Sequence, residues 1–319
     1  MKLGFVSDSL GQQPLAQLLD HAARLQVAGV ELNTGGWSTA PHLDLTGLLG
    51  SATARRALQS EFQARGLEVA ALNANGNPLH PCDPAQSACL HDTLRLAGEL
   101  GITTVCTMSG LPGGAAGERM PNWVTASWPP ETQQILRYQW EEVLLPYWDK
   151  TVALARTCGV ERIALELHGN QCVYNVPTLQ RLRAAVGPVV GANLDPSHLF
   201  WMGADPLAAV DALGAALFHV HAKDTLLNAP VQATTGLLEN GSLTDIPARS
   251  WSYVTLGYGH DAGWWRQFCY RLLMSGYDRW LSIEHEDVLL NSLEGLEKSV
   301  QLLQQVMPQQ ASDYQPQAI

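Results

Sequence analysis

The chain has 319 residues, of which 46% are hydrophobic and 15% are charged, and its 28 glycines and 18 prolines are spread along its length. This composition excludes disordered, collagen-like and coiled-coil proteins. Lysine and arginine total 19 against 30 aspartates and glutamates, a formal net charge of -11, which argues against nucleic acid as a partner because proteins that bind phosphate backbones normally present a basic surface.

The sequence predicts a cytoplasmic protein that does not span a membrane. Its apolar runs stay below the roughly 18–20 residues that a membrane helix needs. The N-terminal MKLGFVSDSLG resembles a strand and has no basic region or cleavage site of a signal peptide. The six cysteines form no CxxC pair, and a core of this size needs no disulfides, so buried thiols are the favoured interpretation and a secreted disulfide protein is the alternative.

Short runs rich in valine, isoleucine and leucine alternate with segments of helical period, which is the pattern of repeated βα units around a parallel sheet. The apolar runs predict eight strands, at residues 3–7, 29–33, 68–73, 103–108, 162–167, 189–194, 216–221 and 279–284. The helical periodicity predicts eight helices, at residues 14–25, 52–64, 86–100, 131–157, 178–186, 206–213, 263–274 and 293–306.

Eight βα units in one chain predict an α/β fold, a single (β/α)8 TIM barrel over residues 1–307. A doubly wound sheet has fewer units and a GxGxxG turn after its first strand, and this chain lacks that turn. The Pro- and Gln-rich residues 308–319 are predicted to form a flexible C-terminal tail.

In this fold the active site lies at the carboxyl ends of the strands and in the loops that follow them. Two of these loops are long, 109–130 with Trp123 and Trp128, and 225–261 with Arg249 and Trp251. Loops of this length in a compact domain are usually functional or disordered, and their tryptophans favour ordered lids.

Polar residues are concentrated at the ends of the last four predicted strands, where buried apolar strands should have none. Because side chains alternate along a strand, residues two apart share a face and can point together into the mouth of the barrel. The strand ends read LELHGN with Glu166 and His168, NLDPSH with Asp195 and His198, FHVHAKD with His219, His221, Lys223 and Asp224, and SIEHED with Glu284 and Glu286.

One carboxylate or imidazole from each of these strands can lie at the same level, namely Glu166, Asp195, His221 and Glu284. Three carboxylates held so close would repel one another and raise at least one pKa. A divalent cation removes this conflict. Oxygen donors with one imidazole suit Mn²⁺, Mg²⁺ or Co²⁺ better than a structural zinc held by thiolates, so the sequence predicts a divalent metal held by these four residues.

Other polar residues leave two interpretations open. Glu31, at the end of the second predicted strand, is either a hydrogen-bonding residue of the pocket or a loop cap. Asn73, Asn75, Asn77 and His80 either bind substrate hydroxyls or belong to a segment of Asx turns in NANGNP. His219 is interpreted as a residue of the core or as a partner of a metal ligand.

At these residues the chain resembles the xylose isomerase-like barrels of the sugar phosphate isomerase/epimerase superfamily. The resemblance covers nearly the whole chain and rests on ordered motifs, above all LELHGN, GANLDPSHLFW, FHVHAKDT, GYGHD and SIEHED. It implies that Glu166, Asp195, His221 and Glu284 hold one divalent metal ion, with Mn²⁺ favoured and Mg²⁺, Co²⁺ or Zn²⁺ as alternatives. It also implies that His198 contacts the substrate or a further metal.

The same resemblance implies a metal-dependent isomerase or epimerase of a small keto-sugar or inositol derivative. Glu166 and Glu284 would then be the acid/base pair that moves the proton next to a carbonyl. The metal would stabilise the enediolate as a Lewis acid, so that a weak carboxylate base could remove a poorly acidic proton.

The residues expected to bind substrate lie around these ligands. Tagatose-type epimerases carry an arginine shortly after the strand-seven histidine, but here Asp224 to Asn228 follow and Arg249 comes much later, so the substrate contacts of that subgroup cannot be transferred. The candidates are His168, His198, Lys223, Arg249, His260 and Trp251, with Trp201 and Trp264 as further walls for a sugar.

Three other functions are considered. A metal-dependent lyase or hydrolase that cleaves 3-keto-glycosides by β-elimination would use the same metal, acid and base. An AP endonuclease with three zinc ions would need more histidines on the early strands and a cationic face. A sugar-binding barrel without catalysis is the remaining alternative. The expected partner is a small sugar, and a homodimer is an expectation from the resemblance alone.

Overall fold

The computed structural model describes residues 1–310 and 312–314. In chain order the strands are β1 (Lys2–Val6), β2 (Gly29–Asn33), β3 (Glu68–Ala74), β4 (Thr104–Thr107), β5 (Arg162–Glu166), β6 (Val190–Leu194), β7 (Leu217–Ala222), β8 (Asp224–Leu227), β9 (Trp251–Val254) and β10 (Trp280–Ile283). All except β8 and β9 form a closed barrel of eight parallel strands, in the order β1, β10, β7, β6, β5, β4, β3, β2. This barrel confirms the predicted (β/α)8 fold.

The helices surround the barrel at the predicted positions, with shorter helices added in the loops. They are α1 (Leu15–Arg24), α2 (Leu45–Gly50), α3 (Ala52–Gln63), α4 (Pro84–Leu100), α5 (Glu131–Arg137), α6 (Leu145–Thr157), α7 (Val176–Val186), α8 (Pro196–Met202), α9 (Pro206–Leu213), α10 (Ala229–Thr235), α11 (Ala262–Met274) and α12 (Ser292–Val306). No helix within residues 1–310 and 312–314 is long and apolar enough to cross a membrane.

The helix predicted at 131–157 is not one continuous α-helix. A π-helical segment, Tyr138–Leu144, separates α5 from α6. Pro146 lies in the first turn of α6, and a proline has no N–H to donate and its ring crowds the carbonyl four residues earlier. The α-helical hydrogen bonding is therefore interrupted at this point. The chain nevertheless stays helical from α5 through the π-helical segment to α6.

The core lies between the barrel and its helices, and strands β2, β6 and β7 are buried along their whole length. Their residues are apolar apart from Glu31, Asn33, Asn193, His219 and His221, as expected for parallel strands that are covered on both faces. A separate small cluster, Ala71, Cys106, Ala164 and Phe218, joins residues of β3, β4, β5 and β7. The division of the chain at residue 307 stays a prediction. Of the predicted tail, 308–310 and 312–314 form no helix or strand, and Ala311 and 315–319 lie outside the described residues.

The long loop predicted at 225–261 contains regular structure. Strands β8 and β9 pair as an antiparallel hairpin, and α10 lies between them in the chain. The loop then returns to the barrel through the GYGHD segment, where the buried carboxylate of Asp224 accepts hydrogen bonds from the backbone N–H groups of Gly257, Gly259 and His260 at 3.0–3.2 Å. A Cβ atom on Gly259 would lie 2.3 Å from the carbonyl oxygen of Thr225, so this close wrap requires glycine.

Candidate metal centre

Four side chains converge at the carboxyl ends of β5, β6, β7 and β10, which are neighbours in the barrel. Glu166 ends β5, Asp195 follows β6, His221 lies in β7 and Glu284 follows β10. Each offers one ligand atom, and these atoms all lie within 4.8 Å of one another. The structure therefore brings together the four residues that the sequence singled out, and the parallel register of adjacent strands is the reason.

The two oxygens of the Asp195 carboxylate have different surroundings: one caps a helix and the other faces the cluster. Its Oδ1 accepts a hydrogen bond from the backbone N–H of Ser197 at 2.8 Å and so caps α8. Its Oδ2 is buried, lies 3.3 Å from Nε2 of His198, and has no hydrogen-bond partner among the described residues. A buried carboxylate oxygen left without a partner is costly, and a cation at the cluster would satisfy it.

The two ring nitrogens of His221 also have different surroundings. Its Nε2 lies 3.0 Å from Oε1 of Glu31. Its Nδ1 faces the cluster, 3.3 Å from Glu284 and 3.8 Å from Glu166, and it makes no hydrogen bond within residues 1–310 and 312–314. Two orphaned buried atoms, one oxygen and one nitrogen, thus lie in one ring of carboxylates, and this donor set fits a divalent cation.

The two glutamates of the cluster are held by different partners. Glu166 accepts from Asn75 Nδ2 at 2.5 Å through Oε2, and its Oε1 lies 2.8 Å from Nε2 of His198. Lys223 Nζ lies 3.2 Å from Glu284 and 2.5 Å from Glu286. Each carboxylate therefore keeps a fixed orientation toward the cluster.

Electrostatics keep Glu284 ionised and His198 protonated before any cation binds. Burial would raise the pKa of Glu284, but Lys223 and His221 outweigh burial and hold that pKa well below its usual value. Burial would lower the pKa of His198, but Asp195 and Glu166 raise it to about 9. His168 shows the opposite result, since burial and the neighbouring His198 lower its pKa to about 3. Two adjacent imidazoles are thus held in different charge states.

A second buried group lies beneath the cluster around Glu31. Its carboxylate is fully buried and accepts from Asn73 Nδ2 at 2.7 Å. Its Oε2 lies 2.6 Å from Nε2 of His219, and its Oε1 lies 3.0 Å from Nε2 of His221. Burial would raise the pKa of Glu31, but the two histidines lower it well below its usual value. Glu31 is therefore the hydrogen-bonding residue of the two alternatives, and it supports His221.

The remaining candidates for substrate binding are not all at the cluster. The ring of His168 lies 4.0 Å from that of His198, so His168, like His198 and Lys223, adjoins the proposed ligands. Arg249 lies in the loop, donates to the carbonyls of Trp251 and Gly241 and stacks over the Trp251 ring. The contacts of Arg249 are thus made within the insertion, and its role toward substrate stays a prediction.

His260 and Trp264 also make their contacts away from the cluster. The Nδ1 atom of His260 lies 2.8 Å from Asp224, and its ring stacks on Phe200 at 3.8 Å. Trp264 stacks on Phe268 at 5.3 Å. Both side chains anchor α11 and the GYGHD segment, and their contribution to a sugar pocket remains a prediction.

Sequence reasoning missed one residue and left another undecided. The hydroxyl oxygen of Tyr253 lies 2.9 Å from His198 Nδ1, but Tyr253 lies in a hairpin that the sequence indicated only as a long loop. Asn75 binds Glu166, whereas Asn77 accepts from the backbone N–H groups of Leu79 and Leu111. The Asx-turn interpretation of NANGNP is therefore confirmed for Asn77, whereas binding of substrate hydroxyls by these residues stays a prediction.

Comparisons with known proteins agree with the barrel fold. The family model described as xylose isomerase-like TIM barrel matches residues 19–306. The chain is 47% identical over 313 residues to the uncharacterized protein YfiH of Bacillus subtilis (strain 168), covering 97% of this chain and 100% of that protein. It is similar in structure to the IolI protein with a binding zinc atom (TM-score 0.67, 17% identity, 96% of this chain and 98% of that one). It is also similar to a D-tagatose 3-epimerase-like protein (TM-score 0.63, 18% identity, 96% and 98%). The chain belongs to the xylose isomerase-like TIM barrel family.

Proposed function

We propose that this protein is a divalent-metal-dependent isomerase or epimerase that moves a proton next to the carbonyl of a small keto-sugar or inositol derivative, through an enediolate. One observation carries the proposal: ligand atoms of Glu166, Asp195, His221 and Glu284 lie within 4.8 Å of one another. Family membership supports it, because relatives in this fold include proteins described as epimerase-like.

Glu166, Asp195 and Glu284 would each hold the cation through one carboxylate oxygen, and His221 would hold it through Nδ1. A bound divalent cation supplies Lewis-acid polarisation of the substrate carbonyl. IolI is described with a zinc atom, so Zn²⁺ stands beside Mn²⁺, Mg²⁺ and Co²⁺, with Mn²⁺ as our first choice because three of the four donors are carboxylates.

The chain's own residues would move the proton. Glu284 is ionised and held by Lys223 at 3.2 Å, so it can accept the proton from the carbon next to the carbonyl. Glu166, oriented by Asn75 and His198, would return to the substrate a proton that it takes from the protonated His198, and Glu284 would release its proton to solvent before the next turnover. The reverse assignment uses the same pair, and which carboxylate acts first depends on the stereochemistry of the sugar.

The metal content of the purified protein tests the site directly. We expect about one equivalent of a divalent metal by mass spectrometry, with that equivalent lost in Asp195→Asn and in His221→Ala. The matched control is Asp149→Asn, since Asp149 is exposed on α6 and should leave the metal content unchanged. Absence of metal after reconstitution with each of the four cations would refute the ligand assignment.

The reaction class needs a separate measurement. We expect the metal-loaded protein to exchange the proton next to the carbonyl of a keto-sugar with deuterium from solvent, observed by NMR over a panel of keto-sugars, glycosides of keto-sugars and keto-inositols. Glu166→Gln and Glu284→Gln should abolish exchange, because a neutral amide cannot carry the proton. Metal binding without exchange of any member of the panel would leave a metal-binding barrel and overturn the isomerase proposal.

A further inference from the structure

A large cavity lies beside the candidate metal centre, and we call it the tryptophan cavity. Its volume is about 650 Å³. Three tryptophans line it, Trp123 from the first long loop, Trp201 from α8 and Trp251 from β9. These residues come from three separate elements, so the cavity is formed by the fold of the barrel mouth together with its insertion.

The tryptophan cavity adjoins the cluster but is distinct from it. His168 and Tyr253 line the cavity, and both contact His198, through rings 4.0 Å apart and through an oxygen 2.9 Å from Nδ1. The four proposed metal ligands are absent from the described lining of the cavity. A substrate atom held at the cluster would therefore have this space next to it.

The volume exceeds what a single sugar ring needs. A hexose has the volume of about six water molecules, roughly 180 Å³ at about 30 Å³ each. The cavity of about 650 Å³ could hold that ring more than once. Sites of several hundred cubic ångströms bind ligands of correspondingly larger size, so a monosaccharide alone would leave most of this space to water.

The tryptophans form a packed wall of the cavity, in which Trp201 and Trp251 are only 7% and 8% exposed. The rings of Trp201 and Trp251 stack at 4.9 Å with an angle of 8° between their planes, and Trp123 packs edge-on against Trp201. Trp251 is fixed further, because its Nε1 donates to the carbonyl of Leu237 at 3.0 Å and Arg249 lies 4.5 Å above its ring. A ring that binds here costs little reorganisation of the protein.

The cavity also offers polar groups for a ligand. Glu239, Asn240 and Tyr253 lie on its lining. Apolar ring faces together with a few hydrogen-bonding groups are the chemistry that binds sugar rings and aromatic groups.

We infer that the tryptophan cavity binds a second ring of the substrate, joined to the keto-sugar that reacts at the cluster. The substrate is thus a glycoside or glycosyl sugar rather than a free monosaccharide, and this inference rests on the proposed function for the identity of the first ring. The role of Arg249 is then to hold Trp251 in place, and it need not contact the reacting sugar.

Binding measurements can test the second ring without turnover. For gluco-, galacto- and manno-configured sugars, we compare methyl glycosides, 4-nitrophenyl glycosides and disaccharides by calorimetric titration of the Mn²⁺-loaded protein. We expect the two-ring ligands of at least one configuration to bind about ten- to a hundredfold more tightly than its methyl glycoside, as for burial of one ring. Tighter binding of the 4-nitrophenyl glycoside would indicate an aromatic second ring, and tighter binding of the disaccharide would indicate a sugar.

Three variants make the outcome specific. Trp251→Ala should remove the preference for two rings, whereas Trp128→Ala should keep it, because Trp128 is 76% exposed and does not line the cavity. Asp195→Asn should lose metal but keep the preference, so failure of the proposed function and failure of this inference are separable. Equal binding of one-ring and two-ring ligands, no binding of any two-ring ligand, or equal effects of the two tryptophan variants would overturn the inference.

Discussion

The Nε2 atom of His221 lies 3.0 Å from Oε1 of Glu31, on the side of the ring that faces away from the carboxylate cluster. An ionised carboxylate at this distance accepts a proton, so His221 carries its hydrogen on Nε2. Nδ1 faces the cluster, 3.3 Å from Glu284, and it is the ring nitrogen that would lose its proton when a cation binds there. Outer carboxylates of this kind fix the tautomer and the orientation of histidines that bind metals.

Glu31→Gln should therefore weaken metal binding although Glu31 touches no metal. We expect the dissociation constant to rise about 10–100-fold, the usual effect of losing an outer partner of a histidine ligand, measured by calorimetric titration. Glu68→Gln is the control, since Glu68 pairs with Lys2 at the surface. Thermal unfolding of the metal-free proteins shows whether each variant is folded, and a folded Glu31→Gln with wild-type affinity would contradict this role.

Metal should also stabilise the fold, because it binds the native cluster and the unfolded chain lacks that cluster. With free metal at about 100 times the dissociation constant, the free energy of unfolding should rise by about 2.7 kcal/mol, seen as a higher midpoint in a calorimetric scan. A chelator should reverse the shift. Asp195→Asn should show no metal-dependent shift, whereas Asp149→Asn should retain it, and an equal shift in both would place the metal elsewhere.

Asn75 should matter for catalysis more than for metal binding. It donates to Oε2 of Glu166 at 2.5 Å, and hydrogen bonds to ionised groups contribute about 1.5–3 kcal/mol. Asn75→Ala should therefore lower kcat for proton exchange by roughly 10–100-fold, while the metal content stays near one equivalent because all four ligands remain. Loss of metal together with activity would instead show that Asn75 holds the ligand set in place.

The ligand set could be predicted from the sequence because its neighbours are apolar. Buried parallel strands are nearly continuous hydrophobic runs, so Glu166, Asp195 and His221 are conspicuous at their ends. Barrel order then brings consecutive strands together. Glu31 could not be assigned in this way, since its bond to His221 crosses the barrel between residues 190 positions apart, and no local pattern carries that information.

The insertion was beyond sequence reasoning for a different reason. The hairpin of β8 and β9 has four residues in each strand, too few for periodicity to distinguish it from a loop. Tyr253 and the tryptophan cavity depend on that hairpin. The seven-residue α8 escaped prediction for the same reason, although its proline at the start and its aspartate cap are typical of a helix N-terminus.

Asp224 should be the residue on which the insertion depends most. Its buried carboxylate accepts from the N–H groups of Gly257, Gly259 and His260, and removal of one partner from a buried charged network costs about 3–5 kcal/mol. Asp224→Ala should lower the free energy of urea unfolding by about that amount, because the backbone donors lose their acceptor. Asp149→Ala, at an exposed helix position, should change it by less than about 0.5 kcal/mol. If Asp224→Ala were as stable as that control, the GYGHD segment would be held by packing alone.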